Sequence, residues 1–168
     1  MINTIQPIMP NLWFNTNAEQ AVKFYASIFK ESSVGRKTYF GKEGVEIHGM
    51  KEGTVMTVEF TLNGQPFVAL NGGPIFKFTE AVSFIIPCDT QEEVDHYWNR
   101  LKEGGDESAQ QCGWLKDQFG LSWQVVPKIL NVYLNDPDTK KAGRVMRAML
   151  QMKKLDIAAL RSAYAGQD

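Results

Sequence analysis

Histidine, cysteine and unbalanced charge are scarce in this chain, and each shortage removes a class of function. The 168 residues contain 2 histidines and 2 cysteines. Neither Cys88 nor Cys112 sits in a CxxC or CxxH pair, so a structural zinc site is not expected. Both read as reduced, partly buried thiols that behave as small apolar groups, with no adjacent base or cation to activate a nucleophile. Two histidines also leave no local Ser/His/Asp or Cys/His constellation. The net charge is -1, so no basic field exists to hold a nucleic-acid backbone. No apolar run approaches the roughly 20 residues of a membrane-spanning helix. The opening MINTIQPIMP lacks the basic stretch and apolar run of a secretory signal, and the expected compartment is the cytoplasm. The glycine-rich stretch Asn71-Gly72-Gly73-Pro74 has neither the Lys-Ser/Thr of a phosphate loop nor GxGxxG spacing. No Gly-x-Gly near an acidic residue marks an S-adenosylmethionine site.

What is present is a core-forming composition, 43% apolar, arranged twice in the same order. Gln6 to Asn15 is mostly apolar and reads as a buried strand. Thr16-Asn17-Ala18-Glu19 has the form of a capping box. Ala21, Phe24, Tyr25, Ile28 and Phe29 follow at the spacing of an amphipathic helix ending near Lys30. Val34 to Phe40 reads as a strand, and Gly41 to Gly53 as a mobile loop or irregular strand pair. Thr54 to Leu62 and Pro66 to Leu70 are strands joined by Asn63-Gly64, a two-residue hairpin signal.

The second copy begins with the apolar strand Ala81 to Cys88. Asp89 or Thr90 caps a helix carrying Val94, Tyr97, Trp98 and Leu101, and Gly104-Gly105 ends it. Ser108 to Cys112, Trp114 to Lys116 and Leu121 to Val126 complete the set, with a turn at Asp117-Gln118-Phe119-Gly120. Phe24, Tyr25 and Ile28 correspond to Tyr97, Trp98 and Leu101 at a constant offset of 73 residues. The same offset carries Thr16 onto Asp89 and Pro10 onto Ser83. The remainder reads as a helical tail. One helix starts at Asp136-Pro137 with an apolar stripe through Val145, Met146, Met149 and Leu150, and a second spans Leu155 to Tyr164. Its three methionines, at 146, 149 and 152, read as adaptable packing. The tail is expected to pack on the sheet or across a subunit interface. The expected organisation is residues 1–78, 79–127 and 128–168.

A twice-repeated β–α–β–β–β unit resembles the vicinal oxygen chelate superfamily of glyoxalase I, bleomycin-resistance proteins and extradiol dioxygenases. Asn15 to Tyr25 (NTNAEQAVKFY), Val68 to Phe78 (VALNGGPIFKF), Ser83-Phe84 and above all Cys112 to Pro127 (CGWLKDQFGLSWQVVP) are similar to its PhnB-like branch, which often carries the label 3-demethylubiquinone-9 3-methyltransferase. The resemblance implies an α+β fold. Its two βαβββ modules form an eight-stranded cup-shaped mixed sheet with the helices outside, here followed by C-terminal helices. It implies a homodimer, and in the enzymes a divalent metal held by residues of the first and last strand of each module. Those positions fall on Pro10, Val68 (or Ala69), Ser83 and Gln124. Proline and valine do not ligate through their side chains, and serine and glutamine are weak ligands. No metal and no other cofactor is therefore expected. His48, in the loop region, and His96, beside the apolar stripe of the second helix, read as surface residues.

Strand alternation assigns Pro10, Leu12, Phe14, Val68, Leu70, Ser83, Ile85, Ser122 and Gln124 to the pocket face. Trp13, Trp123 and Phe67 are assigned to the face beneath the helices, and Trp114 to either. Hairpin pairing across Asn63-Gly64 sets Glu59 opposite Val68 and Thr57 opposite Leu70, which makes Glu59 a candidate general base. The leading expectation is a small-molecule-binding protein without the usual metal site, with no nucleic-acid or membrane partner. The alternatives are an enzyme, either a metal-independent isomerase or lyase using Glu59 or one with a relocated metal site, and a structural module presenting its C-terminal helices to a partner.

Overall fold

Asn63 and Gly64 take φ values of 47° and 76°, the left-handed pair that a two-residue hairpin between twisted strands requires. Around that turn the computed structural model, which describes residues 8–167, builds the first of two units; the division falls after Lys77. The first unit runs β1 (Asn11–Phe14), α1 (Ala18–Ala26), β2 (Ser33–Tyr39), α2 (Val45–His48), β3 (Val55–Leu62) and β4 (Gln65–Asn71). Its four-stranded sheet has the order β1-β4-β3-β2. β1 lies parallel to β4, and the other neighbours are antiparallel. Glu59 pairs with Val68 and Thr57 with Leu70, the register expected from the turn. Helix α1 covers one face, where Tyr25 stacks on Phe60 and Phe60 on Phe67. Val58, Ala69, Ala21 and Val22 are buried there too. Each large apolar side chain so buried contributes about 1.5–3 kcal/mol.

Three local expectations change. The strand expected from Gln6 is observed from Asn11; Gln6 and Pro7 lie outside the described residues. Thr16 does not cap the first helix. Asn17 is the N-cap and makes no side-chain cap bond. The Ala18 N–H instead donates to Asn71 Oδ1, 2.9 Å away at the end of β4, while Glu19 accepts from Lys37 Nζ at 2.6 Å. The capping-box residues are thus replaced by a cap from a distant strand. The 41–53 segment is not plain loop: Val45–His48 forms one helical turn between Gly44 and Gly49, both left-handed. His48 packs on Phe40. Its Nδ1 accepts from the Met50 N–H and its Nε2 faces the Glu43 carbonyl, so both ring nitrogens are used locally.

The second unit runs β5 (Ser83–Cys88), α3 (Gln91–Leu101), β6 (Asp106–Gln111), β7 (Trp114–Lys116), β8 (Ser122–Pro127), α4 (Lys128–Leu134), α5 (Thr139–Leu150) and α6 (Ile157–Ala165). The sheet order is β5-β8-β7-β6, and β5 is parallel to β8. Helix α3 buries Val94, Tyr97, Trp98 and Leu101. Of the two proposed caps, Thr90 serves: its hydroxyl accepts from the Glu93 N–H, and Glu93 accepts from the Asp89 N–H, a reciprocal cap. Cys88 is fully buried beneath α3, and desolvation pushes its thiol up to about 12. It is therefore a packing residue rather than a nucleophile; Cys112 is half-buried.

The tail differs from expectation at its start. Lys128–Leu134 is a helix that the sequence pattern did not reveal, and Pro137 stands before the cap rather than inside the helix. Asp138 is the N-cap of α5, its carboxylate accepting from Lys140 and Lys141. Leu130, Val145, Leu155 and Leu160 make the tail's core, with Met149 and Met152 packed against it. The tail ties to the second module through its backbone: the Cys112 and Gly113 N–H groups donate to the carbonyls of Met152 and Lys153, each at 2.8 Å. Gln91 at the start of α3 also bridges the Leu155 carbonyl and the Ile157 N–H.

Candidate functional site

The helix-free face of each sheet is where chemistry-bearing side chains gather. In the first unit the register settles which residues share it. Asn71 and Ala69 lie on the helix side, and β1 pairs Phe14 with Asn71 and Leu12 with Ala69. Leu12 and Phe14 are buried under α1 and do not line the open face with Val68 and Leu70, as alternation from Pro10 suggested. Asn11 and Trp13 do, opposite Val68 and Leu70. Trp13 therefore moves from the packing face to the open one. Its Nε1 donates to the Gly73 carbonyl at 2.9 Å, and its ring edge meets Phe76. A Cβ on Gly72 would lie 2.3 Å from the indole, which is why glycine is needed there.

The error has one cause. Phe14 and Cys88 end β1 and β5, 74 residues apart, while the N-caps Asn17 and Thr90 are 73 apart. The strand-to-helix connection is one residue shorter in the second module, and a one-residue slip exchanges the two faces of a strand. Carried back by 74, Ser83 corresponds to Met9 and not to Pro10. The second pair of positions is unaffected: Val68 pairs with Asn11 just as Gln124 pairs with Ile85, its equivalent.

Met9, Ser33, Gly35, Glu59, Thr61 and Pro66 line a cavity of about 310 Å³ on the open face of the first unit. Glu59 accepts from Arg36 at 2.8 Å, with the Arg36 side chain largely exposed and that of Glu59 less than half. The candidate base is thus already ion-paired. Ser33 and Thr61 hydroxyls meet at 2.8 Å, and Thr38 and Thr57 at 2.5 Å.

On the second unit, Ser83, Ile85, Ser122 and Gln124 share the open face, as alternation places them, and Trp114 and Lys116 join them opposite Gln124 and Ser122. Phe84, Ile86, Cys88, Trp123 and Val125 face α3. The Gln124 amide donates to Ser83 Oγ at 2.9 Å. Lys116 forms an ion pair with Glu80, and that hydrogen bond, with a backbone one, holds the Glu80 carboxyl below the usual range. The loop that starts β8 is organised by Asp117, only 3% exposed. Its carboxylate accepts from the Phe119 and Leu121 N–H groups and from Trp123 Nε1 at 2.8, 3.1 and 2.8 Å. Lys116 and Trp114 were within reach of the sequence: a charge and an indole at alternate positions of one short strand must share a face.

With this register, the positions that the superfamily resemblance implies for ligands of a divalent metal fall on Met9 and Val68 in the first unit and on Ser83 and Gln124 in the second. A thioether, an aliphatic group, a neutral hydroxyl and a neutral amide, the last two bonded to each other, do not fit such an ion, which takes carboxylate or imidazole ligands. Among the described residues no three His, Cys, Asp or Glu side chains group so as to hold a metal.

Comparison with known proteins bears on the same residues. The family model described as 3-demethylubiquinone-9 3-methyltransferase matches residues 6–126. A PhnB protein from Bacillus cereus is 34% identical, with 73% of this chain and 99% of that one covered and a TM-score of 0.61. Two more distant structures share the fold. A protein from Pseudomonas aeruginosa is 20% identical (73% and 98% covered, TM-score 0.56). The fosfomycin resistance protein FosX from Listeria monocytogenes is 16% identical (81% and 100% covered, TM-score 0.51). The search of curated proteins found no match. With a match running through both βαβββ modules, the chain belongs to the 3-demethylubiquinone-9 3-methyltransferase family.

Proposed function

We propose that the protein binds a small molecule against the open faces of its sheets, without the metal chelate of its superfamily. The observation that carries this reading is the Gln124–Ser83 hydrogen bond. At two positions where the superfamily resemblance implies metal ligands, neutral side chains satisfy each other and leave a mixed polar and apolar surface. Ile85 and Trp114 flank it in the second unit, and Val68, Leu70 and Trp13 form its counterpart in the first. Such surfaces suit a ligand that is apolar with a few fixed polar groups. Methyl transfer, the activity in the family's name, would need an S-adenosylmethionine site, and the glycine-rich stretch 71–74 is engaged in packing Trp13.

A neutral aromatic probe, N-phenyl-1-naphthylamine, is expected to bind and to change tryptophan fluorescence. Ile85 is 61% exposed, so Ile85→Asp leaves the fold intact while placing a charge on the open face. Desolvating that charge is expected to weaken the probe about tenfold or more. Unchanged affinity in a variant whose melting temperature is unchanged would remove the open face from the proposal.

A homodimer belongs to the same reading. Val132 on α4 and Met146 and Leu150 on α5 remain exposed, and exposed apolar groups on neighbouring helices suit a subunit contact. Light scattering should give twice the 19.0 kDa of one chain. Met146→Glu with Leu150→Glu should return the monomer mass; a monomeric parent protein would refute this part.

A further inference from the structure

The open face of the second sheet holds a row of hydrogen-bond donors with too few acceptors. Register sets Ser83 and Lys116 on either side of Ser122. Ser122 is 1% exposed, and its hydroxyl has no hydrogen-bond partner among the described residues. Polar atoms that deeply buried are almost always paired, and an unpaired one asks for an explanation. Ser83 Oγ already accepts from the Gln124 amide, so its own proton is left to donate. Lys116 supplies a third donor. The carboxylate it meets belongs to Glu80, in the turn before β5, with 58% of that side chain exposed. Asp106 follows Lys116 in the row, but its Oδ1 is engaged by the Ser108 N–H and hydroxyl. Two hydroxyl protons and an ammonium are the complement of an oxyanion, which can accept several charge-assisted bonds at once. The next row along the strands, Ile85–Gln124–Trp114, offers an aliphatic and an aromatic surface beside it.

Resting on the small-molecule reading above, we propose that Ser83, Ser122 and Lys116 form a subsite for the oxyanion of a small amphipathic acid. Its apolar body lies on Ile85 and Trp114. In the free protein the Glu80 carboxylate holds only the Lys116 end of the subsite, and the ligand displaces it there. The Glu80 side chain is exposed and on a turn, so its release requires no rearrangement of the sheet.

The test uses the full chain and three probes of similar shape: benzoate, phenylphosphonate and the neutral benzamide. Calorimetry should show at least one anion binding about tenfold or more tightly than benzamide, and the tighter anion identifies carboxylate or phosphonate as the head group. Glu80→Gln removes the internal competitor and should tighten that anion several-fold. Ser122→Ala should weaken it several-fold while raising the melting temperature of the free protein, because it deletes an unpaired buried hydroxyl. A purely structural serine would not move both readouts in opposite directions. Equal binding of benzoate, phenylphosphonate and benzamide, or an unchanged or weakened anion in Glu80→Gln, would overturn the subsite. If N-phenyl-1-naphthylamine binds and neither anion does, the oxyanion subsite is wrong and the small-molecule reading stands. If none of the probes binds, both fall.

Discussion

Asp117→Ala is expected to lower the stability of the second unit by about 4 kcal/mol, read as a fall in the urea midpoint at constant slope. The carboxylate is buried and accepts three hydrogen bonds, from the Phe119 and Leu121 N–H groups and the Trp123 indole. Bonds to a charged acceptor contribute about 1.5–3 kcal/mol each, and a donor left buried without a partner costs about 1–3; relaxation of the turn recovers part of the sum. Asp117→Asn keeps an acceptor for the turn amides but sets an N–H₂ group against the indole N–H, so about half the loss is expected. The consequence extends to the open face. The Asp117 N–H also donates to the Leu121 carbonyl and the Gly120 N–H to the Asp117 carbonyl, so this turn sets where β8 begins. A slip of one residue there would turn Ser122 and Gln124 toward α3 and bring Trp123 out. Asp117→Ala should therefore also abolish probe binding at temperatures where the first unit is still folded. A variant with parental stability would show that the Trp123 bond and the turn amides find other partners.

Asn71→Ala is expected to cost the first unit about 3 kcal/mol by the same measurement. Asn71 is buried at the end of β4. Its Oδ1 caps the Ala18 N–H, and its Nδ2 donates to the Val55 carbonyl at 3.0 Å. One side chain thus joins the first turn of α1 to two strands. Truncation leaves a buried helix donor and a partly buried strand carbonyl unpaired. Asn71→Asp retains the cap acceptor and gains from the helix dipole, but loses the donor to Val55, so it should fall between the two. Thr16→Ala, which removes the residue that the local sequence marks as the cap, should change stability by less than about 0.5 kcal/mol. If Thr16→Ala proves the costlier of the two, the cap is local after all.

Much of the fold was legible because its signals act over a few residues. Asn63-Gly64 set the register of β3 and β4, so the partners of Glu59 and Thr57 followed by counting. The 3.6-residue spacing of Val94, Tyr97, Trp98 and Leu101 identified the buried face of α3. Turn chemistry and periodicity belong to the chain itself. The candidate site was legible in one module only. Ser83, Ile85, Ser122 and Gln124 share a face as expected, because β5 and β8 were each anchored by a nearby turn or cap. In the first module Leu12, Phe14 and Trp13 changed faces: parity was carried across a connection whose length differs by one residue between the copies. Burial side is a period-2 property, so an error of one is an error of the whole strand.

By itself, then, the sequence determined the duplicated modules, the hairpin register, the helix stripes and the family, all of which follow from local pattern and motif. Tertiary structure decided what depends on partners far along the chain. It replaced the capping box by Asn71, 53 residues from the amide it caps. It bonded Gln124 to Ser83 across 41 residues, and it joined Lys116 to Glu80 beside an unpaired Ser122. Hydrogen bonds of that reach form only after strands have chosen their neighbours. Counting from sequence slipped by one residue in the first module, because the groups that share a face there are fixed by strand pairing.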